Sequence, residues 1–172
     1  MPSPVAHGLA GLALHVALAR EDPERLDLAR AGAVAFAALA PDLDLVLKQV
    51  VPGVQHQGAS HGVGAAVIAG CVALGAFRAL GVRAPGRLAL AVGAAWLSHV
   101  ALDYLNRDMT PPIGLMALWP FSNDHYKFAW PIFLDIGRRL DWPTLRHNLL
   151  AAAWECVLLL PVLALSWRSR RS

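Results

Sequence analysis

The chain has 172 residues, a length that fits one domain. It is 56% hydrophobic and only 16% charged, whereas an average soluble domain is roughly 45–50% apolar and about 25% charged. The net charge of +3 does not indicate a nucleic-acid-binding protein, because the arginines cluster at the ends of apolar segments and form no stripe with aromatic residues.

Five apolar segments follow one another along the chain, at about residues 5–19, 28–51, 62–80, 88–105 and 149–167. A helix needs about 20 apolar residues to cross the hydrocarbon core of a bilayer. The last three segments meet or approach that length, and the first two are marginal. We therefore predict an all-α integral membrane bundle of four to five spans, organised as one membrane-embedded helical domain over residues 1–172.

Two smaller structural predictions concern the long connection before the last segment and the two cysteines. Residues 128–140 are predicted to form a short amphipathic helix at the lipid–water boundary, where tryptophans such as Trp130 are favoured. Cys71 and Cys156 lie inside apolar segments and are predicted to be buried thiols.

Basic residues are distributed unequally between the two sides of a five-span bundle. One side receives nine arginines: Arg20, Arg25, Arg30, Arg78, Arg83, Arg87, Arg168, Arg170 and Arg171. The other side receives six basic residues: Lys48, Arg107, Lys127, Arg138, Arg139 and Arg146. Because the richer side is cytoplasmic by the positive-inside rule, we predict a multi-pass membrane protein with a cytoplasmic carboxyl terminus.

Residue types that bind metals occur in four short clusters between the apolar segments. They are His7, Asp42 with Asp44, His56 with His61, and His99 with Asp103. An aspartate at the bilayer centre costs about 2.5–3.5 kcal/mol, so such residues need a compensating partner, and a bound cation is the simplest one. In a five-span topology all four clusters fall at the end of the bundle opposite the arginine-rich side, which predicts that they meet near one membrane face.

The spacing within two of these clusters suits metal ligation. A separation of four residues puts His99 and Asp103 on one helical face, as ligands of one ion or of two adjacent ions, or as a hydrogen-bonded pair in the core. Pro41 disfavours helical geometry at the residue before it, so Asp42 and Asp44 are predicted at a helix end. Two carboxylates this close repel each other unless one is protonated or a cation lies between them; a plain polar helix boundary is the alternative.

The third cluster opens the next apolar segment. Gly58 allows a tight turn between His56 and His61, and Ser60 is predicted to cap the helix that follows. His61 then faces the site from the first helical turn. Two exposed loop histidines are the alternative interpretation.

Imidazole and carboxylate donors without thiolate suit zinc, manganese or iron. We therefore predict one or two divalent cations, with zinc as the first choice. The predicted ligands are His7, Asp42, Asp44, His56, His61, His99 and Asp103. Such cations activate a water molecule, and Asp42, Asp44 and His61 are the predicted catalytic residues. The expected substrate is a phosphoester of a lipid or lipid-like molecule at the bilayer edge, with membrane lipids as the surrounding partners.

The ordered set of motifs resembles the YdjM-like family of membrane-bound, metal-dependent hydrolases. The segments that carry the resemblance are Val5-Ala6-His7-Gly8, Pro41-Asp42-Leu43-Asp44, His56-Gln57-Gly58-Ala59-Ser60-His61, Ser98-His99-Val100-Ala101-Leu102-Asp103 and Leu118-Trp119-Pro120-Phe121-Ser122. The resemblance implies a small helical inner-membrane protein with a hydrolase site, distantly similar to zinc-dependent phospholipase C. The family usually has arginine where this chain has Gln57, and Thr-His-Ser where it has Ser60-His61-Gly62.

Two other functions are compatible with the same residues. Buried aspartate and histidine also form proton and cation pathways, so a divalent cation or proton transporter is one alternative. A non-catalytic membrane partner protein with a structural metal is the other. A transporter predicts polar residues spread through the depth of the membrane, whereas here they gather at one end.

Overall fold

A computed structural model describes residues 1–18, 27–109 and 111–171, and it describes the side chains only as far as Ser169. Arg20 and Arg25 of the predicted arginine-rich side lie outside these ranges, as do the side chains of Arg170 and Arg171. The helices are α1 (Pro4–Leu18), α2 (Leu28–Leu39), the short α3 (Asp44–Leu47), α4 (Val63–Ala79), α5 (Pro85–Tyr104) and α6 (Trp142–Arg171). Single 3-10 turns cover Ala40–Leu43 and Ala59–His61. The described residues contain no β-strand beyond isolated bridges, which confirms the all-α class.

The helices approach each other closely because small side chains line their contacts. α1 packs against α2, α5 and α6, while α5 also packs against α2 and α4. The buried centre between α2 and α5 contains Ala38, Ala91 and Ala95, none of which is measurably exposed. At Gly11 in α1, a Cβ atom would lie only 2.9 Å from the Cβ of Ala38, so a larger residue there would push α1 and α2 apart.

Pro41 ends α2, as the sequence predicts. The chain continues as the 3-10 turn that carries Asp42 and then as α3, whose first residue is Asp44. Both carboxylates therefore lie at the end of α2 instead of on a continuous helix. This break turns them toward the same end of the bundle as the last turns of α5.

The prediction that Ser60 caps α4 is wrong. Gly62 is the capping residue, and the first amide groups of α4 instead donate to a distant loop: Val63 N–H to the carbonyl of Ala117 at 2.9 Å, and Gly64 N–H to that of Trp119 at 2.8 Å. The loop approaches so closely that a Cβ at Gly62 would lie 2.7 Å from the Cβ of Trp119. This contact explains locally why glycine follows His61 in this chain.

α6 is the one helix in the described part of the chain that is both long and apolar enough to cross a membrane. Within residues 142–169, its most apolar window of 18 residues has a mean hydropathy of 2.1, and only 11% of that window is buried in the protein. A helix this apolar and this exposed is unlike the core helix of a soluble protein and suits contact with lipid. α1 and α4 are apolar but shorter, so the predicted total of four to five spans stays a prediction.

Glu155 is the one acidic residue inside the α6 span, and it is completely buried against α1. Its carboxylate accepts hydrogen bonds from the backbone N–H of Ser3, at 2.8 Å, and from the Ser3 hydroxyl. A buried carboxylate is stable only when its oxygens have such partners. The pair fixes the beginning of α1 against the middle of α6.

Two of the smaller sequence predictions are wrong. Residues 128–140 form no helix, because Pro131 lacks an amide donor and the amides of Ile132 and Phe133 donate to the carbonyl of Leu105. The two thiols are not buried: Cys71 is exposed and Cys156 is partly exposed. Both lie on outward faces of apolar helices, a position that hydrophobicity alone does not distinguish from the core of a bundle.

Candidate metal centre

Four segments that are far apart in sequence bring their polar side chains to one point at the end of the bundle. His61 comes from the 3-10 turn before α4, His99 and Asp103 from the last two turns of α5, and Asp42 from the turn after α2. The imidazole of His99 and the carboxylate of Asp42 are 3.6 Å apart. The convergence expected from the topology is therefore present in the fold.

The donor atoms of these four residues have nearly equal spacings. His61 Nε2 lies 3.0 Å from His99 Nε2 and 3.3 Å from Asp103 Oδ2, and the last two atoms are 3.4 Å apart. Asp42 Oδ1 lies 3.6 Å from the Nε2 atoms of both histidines. Ligand atoms about 2.0–2.1 Å from a tetrahedral zinc ion lie about 3.3 Å from one another. The four atoms therefore fit a single tetrahedral divalent cation.

The hydrogen bonding of the carboxylates leaves room for such a cation. Both oxygens of Asp103, and Oδ1 of Asp42, are buried and accept no hydrogen bond from any described residue. A buried carboxylate without a partner is strongly destabilising, by roughly 3–5 kcal/mol when one member of a buried pair is missing. A cation between these oxygens and the two imidazoles supplies the missing partner.

Hydrogen bonds on the far side of each imidazole orient its ring. Nδ1–H of His99 donates to the backbone carbonyl of Ala38 at 2.8 Å. Nδ1 of His61 lies 3.0 Å from the Ser60 hydroxyl and 3.2 Å from Oδ2 of Asp44. These contacts favour the tautomer with the proton on Nδ1 in both rings. The Nε2 lone pairs are then available to a cation at the centre, as in other histidine metal sites.

The carboxylates also change the protonation of His61. Burial lowers the pKa of its imidazole, but the nearby carboxylates of Asp103, Asp42 and Asp44 outweigh burial and hold that pKa well above the ordinary value of 6.5. The site therefore attracts positive charge, which a proton supplies on His61 when no cation is bound.

Asp44 connects the loop that carries His56 and His61 to the beginning of α3. Its carboxylate accepts hydrogen bonds from His56 Nδ1 at 2.7 Å, the Gln57 amide at 3.2 Å and the Ser60 hydroxyl at 2.8 Å. Asp44, His56 and His61 form a second group with the spacing to hold a cation. The two groups share His61, whose Nε2 faces the first group while its Nδ1–H faces Ser60 and Asp44.

His7 lies behind the first group. Its ring stacks on that of His99 with centroids 3.8 Å apart, and its Nε2 is 3.6 Å from Asp103 Oδ1. It is completely buried, and neither of its ring nitrogens has a hydrogen-bond partner among the described residues. All seven predicted ligands therefore lie in one continuous cluster, with four at its centre.

Sequence reasoning did not identify two groups that position the centre. Trp96 donates its indole N–H to the Ser60 carbonyl at 2.8 Å, and the Ala38 carbonyl orients His99 as described above. Trp96 precedes His99 by three residues and so shares its helical face, which is the one signal that the sequence offered. A backbone carbonyl gives no sequence signal at all.

The comparisons with known proteins agree with the resemblance drawn from the motifs. The family described as YdjM inner membrane protein matches residues 1–171. No curated protein and no solved structure matches the chain, and the similarity to zinc-dependent phospholipase C stays a prediction. The family match covers almost the whole sequence and includes every residue of the metal centre. The chain therefore belongs to the YdjM inner membrane protein family.

Proposed function

We propose that this protein is an inner-membrane, metal-dependent hydrolase that cleaves a phosphoester of a lipid or lipid-like substrate. The observation that carries the proposal is the near-tetrahedral set of donor atoms from His61, His99, Asp103 and Asp42. Zinc is the preferred cation, because two imidazoles and two carboxylates match its ligand preference, with manganese and iron as alternatives. When bound, it would supply a water of lowered pKa and polarise a phosphoryl oxygen.

The residues of the chain divide into holding and reacting groups. His61, His99 and Asp103 have the shortest mutual distances and are completely buried or nearly so, so they are the ligands that hold the ion. Asp42 is the most distant and the most exposed of the four, with 15% of its side chain accessible. Displacement of Asp42 from the ion would open the fourth coordination position to the attacking water, and the freed carboxylate would accept the proton of that water.

Asp44 acts through His61. Its hydrogen bonds fix the loop before α4 and hold the His61 ring with Nε2 toward the ion. His56 donates its Nδ1–H to the other oxygen of Asp44 and lies at the edge of the cluster. A proton that leaves Asp42 or His61 therefore has further acceptors within the same network.

The membrane setting supports a lipid-like substrate. The chain belongs to an inner membrane family, and α6 presents an apolar, exposed surface. In this proposal α1, α2, α4 and α5 complete a multi-pass bundle with a cytoplasmic carboxyl terminus. The metal centre then lies near the opposite membrane face, where an amphiphile has its headgroup.

The test is hydrolysis by purified full-length protein in detergent after zinc is added. Mono- and diester substrates with phosphate headgroups should be hydrolysed, and Asp42→Asn should lower kcat by about 100-fold or more while zinc remains bound through the other three ligands. Asp124→Asn removes an exposed loop carboxylate that, among the described residues, accepts a hydrogen bond from the Ser122 hydroxyl, and it serves as the matched control. If the zinc-loaded protein cleaves none of these esters, the proposed hydrolase activity is refuted and the metal has a structural role.

A further inference from the structure

A cavity of about 400 Å³ opens at the edge of the cluster where His56 lies. His56 and Gln57 are part of its wall, and both are hydrogen-bonded to the carboxylate of Asp44. The carboxylate of Asp44 therefore links the wall of the cavity to His61, whose Nδ1 lies 3.2 Å from its Oδ2. Its volume lies within the range of small-molecule binding sites, about 300–1,000 Å³.

Three basic side chains from separate parts of the chain line this cavity. Lys48 follows α3, Arg107 follows α5, and Arg138 belongs to the connection before α6. Within the described ranges, none of the three forms an ion pair with a carboxylate. Like charges that converge on one cavity repel each other and create a positive potential, so an anionic ligand would stabilise this arrangement.

The two carboxylates that also line the cavity are engaged elsewhere. Asp108 accepts a hydrogen bond from the Gly114 amide at 2.6 Å. Asp135 faces His147, with 3.6 Å between its Oδ1 and the imidazole Nε2. Three cationic side chains against two carboxylates leave the cavity with a net positive charge. Arg138 also donates to Sδ of Met1 at 3.5 Å, a weak contact that leaves its remaining guanidinium N–H groups for a ligand.

We propose that this cavity binds the phosphate group of the substrate, and that Arg107, Arg138 and Lys48 are its specificity-determining residues. The inference rests on the proposed function, because the phosphate is that of the proposed substrate; the cavity lies on the His56 side of the cluster, across Asp44 from Nδ1 of His61. Two guanidinium groups suit a phosphate in particular, since each can donate two parallel hydrogen bonds to its oxygens. The phosphate can belong to a lipid headgroup or to a water-soluble ester.

The experiment measures binding of two phosphate probes to the full-length, zinc-loaded protein in detergent by calorimetry. Glycerol 3-phosphate represents a water-soluble ligand, and dihexanoyl phosphatidic acid represents a lipid headgroup. The double variant Arg107→Gln/Arg138→Gln should weaken both probes by about 10- to 100-fold, because it removes two charge-assisted contacts. Arg146 is an exposed arginine outside the cavity, and the affinity of Arg146→Gln for both probes should stay within about twofold of that of the unmodified protein.

The comparison between the probes identifies the source of the phosphate. Tighter binding of phosphatidic acid indicates a lipid, and equal binding indicates a soluble ester; both support the cavity. If the affinity of the double variant for both probes stays within about twofold of that of the unmodified protein, the proposal that the cavity binds phosphate is overturned. Lys48→Gln/Arg138→Gln replaces the first variant if that one fails to fold, as judged by its zinc content and thermal midpoint.

The proposed phosphate site and the proposed hydrolase activity can be tested separately. The titration is repeated after zinc is removed with a chelator, so that direct binding of phosphate to the ion is excluded. If the protein hydrolyses none of the esters but still binds phosphate in a way that depends on the arginines, the proposed hydrolase function is refuted and the proposed phosphate site is supported. If the protein hydrolyses the esters but phosphate binding does not depend on the arginines, the proposed phosphate site is refuted and the proposed hydrolase function is supported.

Discussion

His61 shows how a single residue depends on two carboxylates with different roles. Asp103 lies 3.3 Å from its Nε2, on the side of the proposed ion, whereas Asp44 lies 3.2 Å from its Nδ1, on the opposite side. The Ser60 hydroxyl donates to Asp44 at 2.8 Å and so accepts from the Nδ1–H of His61. Asp44 is thus a positioning residue, whose effect reaches the ion through the tautomer and orientation of the ring.

Replacing Asp44 should therefore weaken the metal centre without removing it. We expect Asp44→Asn to lower zinc affinity by about 10- to 100-fold, because the amide no longer fixes the ring of His61. At saturating zinc the variant should still bind the same number of ions per chain. Competition with a fluorescent chelator measures the affinity, with Asp124→Asn as the control. A complete loss of zinc would instead make Asp44 a direct ligand.

The protonation of His61 makes zinc binding depend on pH. The pKa of this imidazole is raised well above 6.5 by the three carboxylates around it, so the metal-free site holds a proton at neutral pH. Zinc must displace that proton, and the apparent affinity should rise by about tenfold per pH unit until the pH passes the raised pKa. Chelator competition between about pH 6 and about pH 8.5 measures the slope. An affinity that is constant over this range would contradict the protonated state.

At the scale of elements, the beginning of α4 depends on a loop more than fifty residues away. The carbonyls of Ala117 and Trp119 accept the first amide protons of α4, and this contact holds the turn that carries His61. Gly64 makes the approach possible, because a Cβ there would lie 2.5 Å from the Cδ of Pro120 and 2.8 Å from the carbonyl oxygen of Trp119. Backbone and ring atoms cannot move aside as a flexible side chain does.

We therefore expect Gly64→Ala to destabilise the protein by about 1–3 kcal/mol, through displacement of the loop. It should also weaken zinc binding, since His61 lies three residues earlier. Gly75→Ala is the matched control in the same helix, because a Cβ there meets nothing within 4 Å; it should be neutral or slightly stabilising. Thermal denaturation in detergent compares the two variants. Equal thermal midpoints would show that the loop does not restrain α4.

The sequence predicts the local parts of this architecture well. Apolar segments predict the helices, Pro41 predicts the break after α2, and the four-residue spacing of His99 and Asp103 predicts a shared helical face. Contacts between distant segments are not predictable in this way. The cap of α4, the Ser3–Glu155 pair and the carbonyl that orients His99 depend on tertiary packing, and their residues carry no local pattern.

At the scale of the whole molecule, the apolar surface and the polar centre occupy different regions. α6 exposes large side chains such as Leu149, Val157 and Leu165, whereas the residues of the metal cluster collect at one end of the bundle. An exposed apolar surface of this kind is stable in lipid and not in water. The separation lets the protein hold buried carboxylates without placing them against the hydrocarbon core.

The proposed orientation predicts the location of the carboxyl terminus. Arg168 and the residues after it follow the apolar span of α6 and should lie on the cytoplasmic side. A fluorescent protein fused after residue 172 should therefore fluoresce in bacterial cells, and an alkaline phosphatase fused there should be inactive. The reverse pair of results would place the carboxyl terminus outside the cytoplasm and the metal centre near the cytoplasmic face.

X-ray absorption spectroscopy of the zinc-loaded protein tests most directly whether His61, His99, Asp103 and Asp42 share one divalent cation. We expect about one zinc ion per chain, bound by nitrogen and oxygen atoms at about 2.0–2.1 Å with the signature of two imidazoles. Asp103→Asn should abolish this binding, while Asp124→Asn should preserve it. Less than about 0.1 zinc per chain in the unmodified protein, or a spectrum without imidazole ligands, would contradict the account.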